Sequence, residues 1–325
     1  MAEYSFLHSG FTVNSEFRLF VSGNSQHPFR AKIFAEVVDH LIHQKGFQPL
    51  SILNQNPINS RCWLRSIHLQ SVYPFLEFAF VIQFLRDMGS ACFWDLHLVP
   101  ESWITKPVRL ILIDVDSTLI EQETIDEFAT LTDHHGTIAQ ITRRAMDGEL
   151  SFSEALAERV KLLKGVTLSA METVFKRLRV RPEMEVFISK AQIQGIQVAL
   201  VSGGFDFIVA RLAKQLKISY FLANRLEFQD GRCLGIVPSD VVNDSAKRMF
   251  LLNLCEQLQM GSDDVMAIGD GANDIALMQT AKFGVGIYPK KILEPHVAVA
   301  IHHGSIGVLH YMIPSMKGSD HRDLK

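Results

Sequence analysis

The apolar and polar positions between Glu16 and Pro100 follow two rhythms. Stretches of period two near Phe17–Val21, Leu50–Asn54, Cys62–Leu69 and Ala91–Leu98 predict strands. Helical spacing predicts helices over Ala31–Gln44 and Phe75–Met88, so the order is β-α-β-β-α-β. Trp103-Ile104-Thr105-Lys106-Pro107 reads as a short linker, and from Val108 the pattern changes to apolar runs alternating with helices.

Four apolar runs predict buried parallel strands: Arg109–Ile113, Gln197–Val201, Tyr220–Ala223 and Val265–Ile268. The stretch from Ile120 to Gly195 has helical periodicity and far exceeds the dozen or so residues that a crossover requires, so it predicts an inserted helical cap. Asp230-Gly231 between alternating residues in Arg225–Ile236 predicts a hairpin turn. No internal repeat is evident, and the only biased tract is the polar tail after Lys317. The expectation is an α/β chain with two parts. Residues 1–104 form an α+β domain of ferredoxin-like order, and residues 105–325 form a parallel-sheet domain with its cap near 120–190.

Composition narrows the function. With 325 residues and 47% hydrophobic content the chain can bury a substantial core. Lys plus Arg total 32 against 35 for Asp plus Glu, which argues against nucleic acid or an anionic membrane as the main partner. Four scattered cysteines, Cys62, Cys92, Cys233 and Cys255, offer no C-x-x-C pair, so neither a zinc site nor a disulfide framework is expected. The N-terminus lacks a basic start and is interrupted by Glu3, Asn14, Glu16 and Arg18, unlike a signal peptide. Phe75–Leu85 is broken by Glu77 and Gln83 and falls short of the ~20 residues that span a bilayer. Together these predict a cytoplasmic protein with reduced thiols.

Candidate chemistry sits where apolar runs end. Asp114-Val115-Asp116-Ser117-Thr118 puts two carboxylates at the end of a strand, where open α/β sheets bind ligands. One carboxylate can attack phosphorus while the other moves a proton, although the same residues also make a capped turn. A carboxylate approaching a phosphate dianion needs a hard cation such as Mg²⁺ to offset like-charge repulsion. Ser202-Gly203-Gly204 precedes a helical run from Asp206 and reads either as a phosphate cradle or as a tight βα turn. In Gly269-Asp270-Gly271-Ala272-Asn273-Asp274, Asp270 is a suitable Mg²⁺ ligand, and the dinucleotide spacing fails at Asp274. Lys247 opens a helical run and reads as a solvated lysine unless the fold carries it to a phosphate. His134-His135 and His302-His303 point apart as neighbours and suggest surface positions rather than metal ligands.

Taken together, Asp114, Asp116, Thr118, Ser202, Lys247, Asp270 and Asp274 resemble the signature of the haloacid dehalogenase superfamily, with its Rossmannoid parallel sheet and inserted cap. Further segments narrow the resemblance to the phosphoserine phosphatases over about Val108 to Ile313: Glu121–Glu127, Met146–Phe152, Glu158–Gly165, Val201–Phe205 and Ala223–Leu226. That resemblance implies hydrolysis of O-phosphoserine, the last step of serine biosynthesis, through an aspartyl-phosphate. In it Asp114 is the nucleophile, Asp116 the general acid and base, and Mg²⁺ lies on Asp114, the Asp116 carbonyl and Asp270. Asp274 and Thr118 support the loops. Glu123 meets the substrate ammonium and Arg159 its carboxylate, Ser202, Gly203, Lys247 and Asn273 surround the phosphoryl group, and Met146 and Phe152 form an apolar wall.

Two rival readings remain open at this level. Transfer of the phosphoryl group to an alcohol such as homoserine would use the same motifs. The N-terminal pattern is similar to ACT-like small-molecule-binding domains, which would suit an amino-acid sensor, a serine-responsive regulator or a homodimer contact.

Overall fold

The computed structural model describes residues 15–24, 26–27, 29–45, 47–53, 62–71, 78–146, 149–236 and 240–316. By contact density the chain divides into two compact units: Met1–Ile111 with Ser189–Gln197 and Met260–Lys325, and Leu112–Ile188 with Val198–Gln259. No helix among the described residues is long and apolar enough to cross a membrane.

The first unit opens with β1 (Glu16–Asn24), α1 (Ala31–Lys45), β2 (Phe47–Leu53), β3 (Cys62–Ser71), α2 (Phe78–Cys92) and β4 (Trp94–Pro100). Their antiparallel sheet has the order β2-β3-β1-β4, the ferredoxin-like arrangement. Pro49 sits on the edge strand β2 at a register shift, a position where its missing N–H interrupts no central ladder. Period-two alternation sends Phe17, Leu19, Val21, Ile67, Leu69, Trp94, Leu96 and Leu98 to one face, where they pack with Val37, Leu41, Val81, Ile82 and Leu85 of the two helices. Three expectations need correction. The predicted strand from Ala91 starts at Trp94, because α2 runs on to Cys92 and Phe93 turns the chain at φ 57°. The second strand begins at Phe47 rather than Leu50. The predicted linker is helical in part: α3 (Glu101–Thr105) buries Ile104 and sets Trp103 edge-on to Phe283 at 5.9 Å. The predicted ends at Asn54 and Phe75–Glu77, the Asp147-Gly148 pair and the tail after Lys317 lie outside the described residues.

A second, six-stranded sheet has the order β12-β11-β10-β5-β6-β7, built from β5 (Leu110–Asp114), β6 (Gln197–Phe205), β7 (Tyr220–Asn224), β10 (Val265–Gly269), β11 (Phe283–Ile287) and β12 (Val299–Ile301). The pairs β6/β7, β10/β11 and β11/β12 are parallel. Four of these strands were predicted; β11 and β12 were not, being short and following a helix with little punctuation. The insert after β5 is helical, with α4 (Thr124–Ala129), α5 (His135–Met146), α6 (Phe152–Lys161), α7 (Leu168–Phe175) and α8 (Pro182–Ile193). After β6 comes α9 (Asp206–Gln215). The hairpin forms from β8 (Phe228–Gln229) and β9 (Arg232–Cys233), with Asp230 and Gly231 both at positive φ as a type I′ turn requires. The remaining helices are α10 (Asp244–Gln257), α11 (Ile275–Thr280) and α12 (Leu309–Met312).

The other face of the N-terminal sheet buries polar groups, among them Ser22, Ser66, Asp95 and His97. Asp95 accepts backbone N–H groups from His302 at 2.9 Å, His303 at 3.1 Å and Gly304 at 2.5 Å. Burial pushes its carboxyl pKa up, and these three amides oppose the rise by favouring the charged form. Replacing Asp95 by Ala removes the acceptor for all three amides and should destabilise the chain by about 2–4 kcal/mol in urea unfolding. Asp95→Asn, which keeps one acceptor oxygen, should lose less; equal losses would mean the amides are not what Asp95 supplies.

Candidate active site

Asp114 is the last residue of β5 and is buried, because the four residues before it are all apolar strand core. Residues Val115–Leu119 then wind a single π-type turn, closed by the Ile120 N–H to the Val115 carbonyl at 3.0 Å. Ser117 inside it takes φ 56°, a left-handed conformation that costs a non-glycine residue of order 1–3 kcal/mol. Its surroundings hold it there. The Ser117 N–H donates to the Gln122 carbonyl at 3.1 Å, its Oγ donates to Glu123 Oε1 at 2.9 Å, and its carbonyl accepts from Arg181 at 3.0 Å.

The fold brings Lys247 to Asp114. Asn243 caps α10 by accepting the Ala246 N–H at 2.9 Å, which puts Lys247 in the first turn of the helix. Its Nζ lies 2.5 Å from Asp114 Oδ1, and the lysine is fully buried. Far from being a solvated helix lysine, it is a buried cation set against a buried carboxylate.

Asp116 faces different partners. Its Oδ1 accepts the Thr124 N–H at 2.7 Å and its Oδ2 accepts the Ser202 hydroxyl at 3.0 Å. Burial first and the charge of Glu123 second raise its pKa, while the hydrogen bonds from Thr124 and Ser202 pull it back. In β6 the pairing register breaks between Val201 and Phe205, which frees Ser202–Gly204 from the ladder. Gly204 donates its N–H to Ser202 Oγ at 2.7 Å, and a Cβ there would sit 2.5 Å from Asp116 Oδ2. A Cβ on Gly203 would lie 2.6 Å from the Phe152 ring, so that aromatic rests directly on the glycine. Asn224 donates to the Gly203 carbonyl at 2.8 Å and accepts the Val242 N–H at 2.8 Å.

Arg159 on α6 donates to the Ala155 carbonyl at 3.1 Å and to Thr142 Oγ1 at 3.3 Å, both neutral acceptors. Burial lowers its pKa, and the nearby acids Asp126, Glu123 and Asp116 act in the opposite direction. Asp126 in turn is raised by burial and by Glu123. The Met146 side chain lies outside the described residues. Thr118 is buried, and its Oγ1 has no hydrogen-bond partner among the described residues.

On the loop after β10, Asp274 Oδ2 accepts the N–H groups of Asp270 at 3.2 Å and Gly271 at 3.3 Å. Any Cβ at Gly269 would collide with the Asp274 carboxylate. Asn273 lies in the same turn, partly exposed. Lys290 binds Asp270 twice, by its N–H to the carbonyl at 2.8 Å and by Nζ to Oδ2 at 3.0 Å. Asp270 and Asp274 are buried carboxylates on this loop, and oxygen donors of this kind suit a hard divalent cation. The sequence reading did not single out Thr124, Asn224, Asp126, Arg181 or Lys290. Of these, Thr124 and Asp126 lie in the Glu121–Glu127 segment and Asn224 in Ala223–Leu226, but none has a distinctive spacing of its own.

The family profile of the haloacid dehalogenase-like hydrolases matches residues 111–279. A phosphoserine phosphatase of Archaeoglobus fulgidus is 34% identical over 200 residues, which are 62% of this chain and 58% of that relative, so the chain spans less than two thirds of it. A solved structure of a probable phosphoserine phosphatase from Vibrio cholerae, unliganded, is 27% identical with a TM-score of 0.70 and covers 92% of this chain and 87% of that one. Another, a phospho-aspartyl intermediate analogue of phosphoserine phosphatase, is 35% identical with a TM-score of 0.60 and covers 64% of this chain and 100% of that one.

The arrangement around Asp116 has a direct consequence. Thr124→Val deletes a hydrogen bond that favours the charged carboxylate, so the Asp116 pKa should climb further, as read by carbon NMR titration of its carboxyl. An unchanged or lower pKa would show that the Thr124 hydroxyl does not act on Asp116.

Proposed function

Because the chain belongs to the haloacid dehalogenase-like hydrolases, we propose that it is a Mg²⁺-dependent phosphatase converting O-phosphoserine to serine and phosphate through an aspartyl-phosphate on Asp114. The buried Lys247–Asp114 pair, with a second acid of raised pKa two residues on, carries this reading. Lys247 keeps Asp114 in line as an ionised nucleophile and places positive charge where a phosphoryl group arrives. Asp116 supplies the proton that the departing serine oxygen requires; burial and the charge of Glu123 raise its pKa and so favour the protonated form. After serine leaves, the Asp116 carboxylate takes a proton from the water that hydrolyses the acyl-phosphate.

Mg²⁺, held by Asp114, the Asp116 carbonyl and Asp270, would supply the positive charge that lets a carboxylate approach a phosphate dianion. Ser202 and the backbone of Gly203 offer donors to the phosphoryl oxygens, with Asn273 as a further donor. Arg159 uses its two hydrogen bonds on neutral acceptors, which leaves its charge for a substrate carboxylate, while Glu123, oriented by Ser117, suits an ammonium. Phe152 supplies an apolar wall beside Gly203. An enzyme of this kind would complete serine biosynthesis in the cytoplasm.

Asp114→Asn should reduce turnover by at least about a thousandfold and abolish the acid-stable, alkali-labile label seen after brief quenching with labelled phosphoserine. Turnover near the wild-type rate would exclude the covalent route. Arg159→Ala should raise KM for phosphoserine much more than for p-nitrophenyl phosphate, and equal effects on both would remove its role in carboxylate recognition.

A further inference from the structure

A cavity of about 280 Å³ lies within the first unit at the edge of β4, just below the usual range for metabolite sites. Ile82, Arg86 and Ser90 of α2, Trp94 to His97 of β4, and Glu294, Ala298, Ala300, His302 and His303 line it. His97 is only 3% exposed, and its Nε2 has no hydrogen-bond partner among the described residues. Such an unsatisfied buried group in a native fold calls for an explanation. Burial, with Arg86 and His302 nearby, pushes the His97 pKa down to about 3, so the ring is neutral and can donate a single N–H.

The charges in the wall select the ligand. Arg86 is anchored by its Nη2 to the Val297 carbonyl at 3.0 Å, which holds the guanidinium at the cavity. Glu294 pairs with His302 at 3.5 Å, and Asp95 spends both oxygens on the backbone of residues 302–304. These two acids disfavour a dianion such as phosphate, whereas one guanidinium and one imidazole N–H suit a single carboxylate. Ala298 and Ala300 add apolar lining for an organic body.

We propose that this cavity binds a small organic monocarboxylate, its carboxylate held by Arg86 and His97 and its apolar body resting against Ala298 and Ala300. It uses none of the residues assigned to phosphoryl chemistry, so the site stands or falls independently of the phosphatase reading.

The test is titration calorimetry on the full chain with isobutyrate and benzoate, against the uncharged isobutyramide and benzamide. Both acids should bind, and the amides should bind at least about tenfold more weakly. Arg86→Leu, on a partly exposed helix face, should weaken acid binding by at least about tenfold without changing phosphoserine turnover. His97→Phe should weaken binding as well, and Arg159→Ala should leave it unchanged. No binding of either acid at about 10 mM, amides bound as tightly as acids, or binding lost with Arg159→Ala but kept with Arg86→Leu would each overturn the proposal.

Discussion

A lysine ammonium and a carboxylate that share a site closed to solvent bind each other far more firmly than a surface pair. Lys247 is fully buried in the first turn of a helix, where the positive end of the helix dipole already disfavours a cation. Asp114, 133 residues earlier, offsets that cost from 2.5 Å away. Removing either partner of such a pair typically costs about 3–5 kcal/mol, so the end of β5 and the start of α10 are tied to one another. Asn243 caps the helix at this point, and the neighbouring Val242 N–H is held by Asn224, whose amide also reaches the Gly203 carbonyl. One buried ion pair is therefore continuous with the glycine loop through side-chain hydrogen bonds.

Two aspartates separated by a single residue acquire different characters from their surroundings. Asp114 meets a buried cation; Asp116 meets a hydroxyl, a backbone amide and the repulsion of Glu123. Environments that push two carboxyls apart in this way divide the roles of nucleophile and proton carrier between them. Ser117, directly after Asp116, takes the left-handed conformation, and its hydrogen bonds to Gln122, Glu123 and Arg181 hold the turn that follows the two acids.

The N-terminal sheet follows a different logic. One face is ordinary helix-packed core, but the other buries Ser22, Ser66, Asp95 and His97, which an isolated sheet would leave to water. Asp95 satisfies itself on the backbone of residues 302–304, while His97 Nε2 does not find a partner among the described residues. This polar face is what distinguishes the edge of β4 from a plain ferredoxin-like sheet.

Periodicity was enough to read the β-α-β-β-α-β order, four of the six strands of the parallel sheet, the helical insert and the Asp230-Gly231 turn, because each depends on neighbours within a few residues. The positions of Asp114 at the end of β5 and of Asp270 just after β10 were legible for the same reason, whereas β6 runs past its predicted end at Val201 to Phe205 and takes in Ser202. The helix at Glu101–Thr105 was not, since Pro107 suggested a linker while the burial of Ile104 decided the conformation. Local pattern could not show that Lys247 is buried rather than solvated, that Thr124 bonds Asp116, or that Asn224 ties the Gly203 carbonyl to the Val242 N–H. Those facts rest on partners as many as 133 residues away, and a threonine at a helix start looks the same whether its N–H meets water or a carboxylate. Sequence determined which groups stand at the ends of strands; tertiary structure alone decided which charges are withdrawn from water and against what, because desolvation depends on everything packed around a residue.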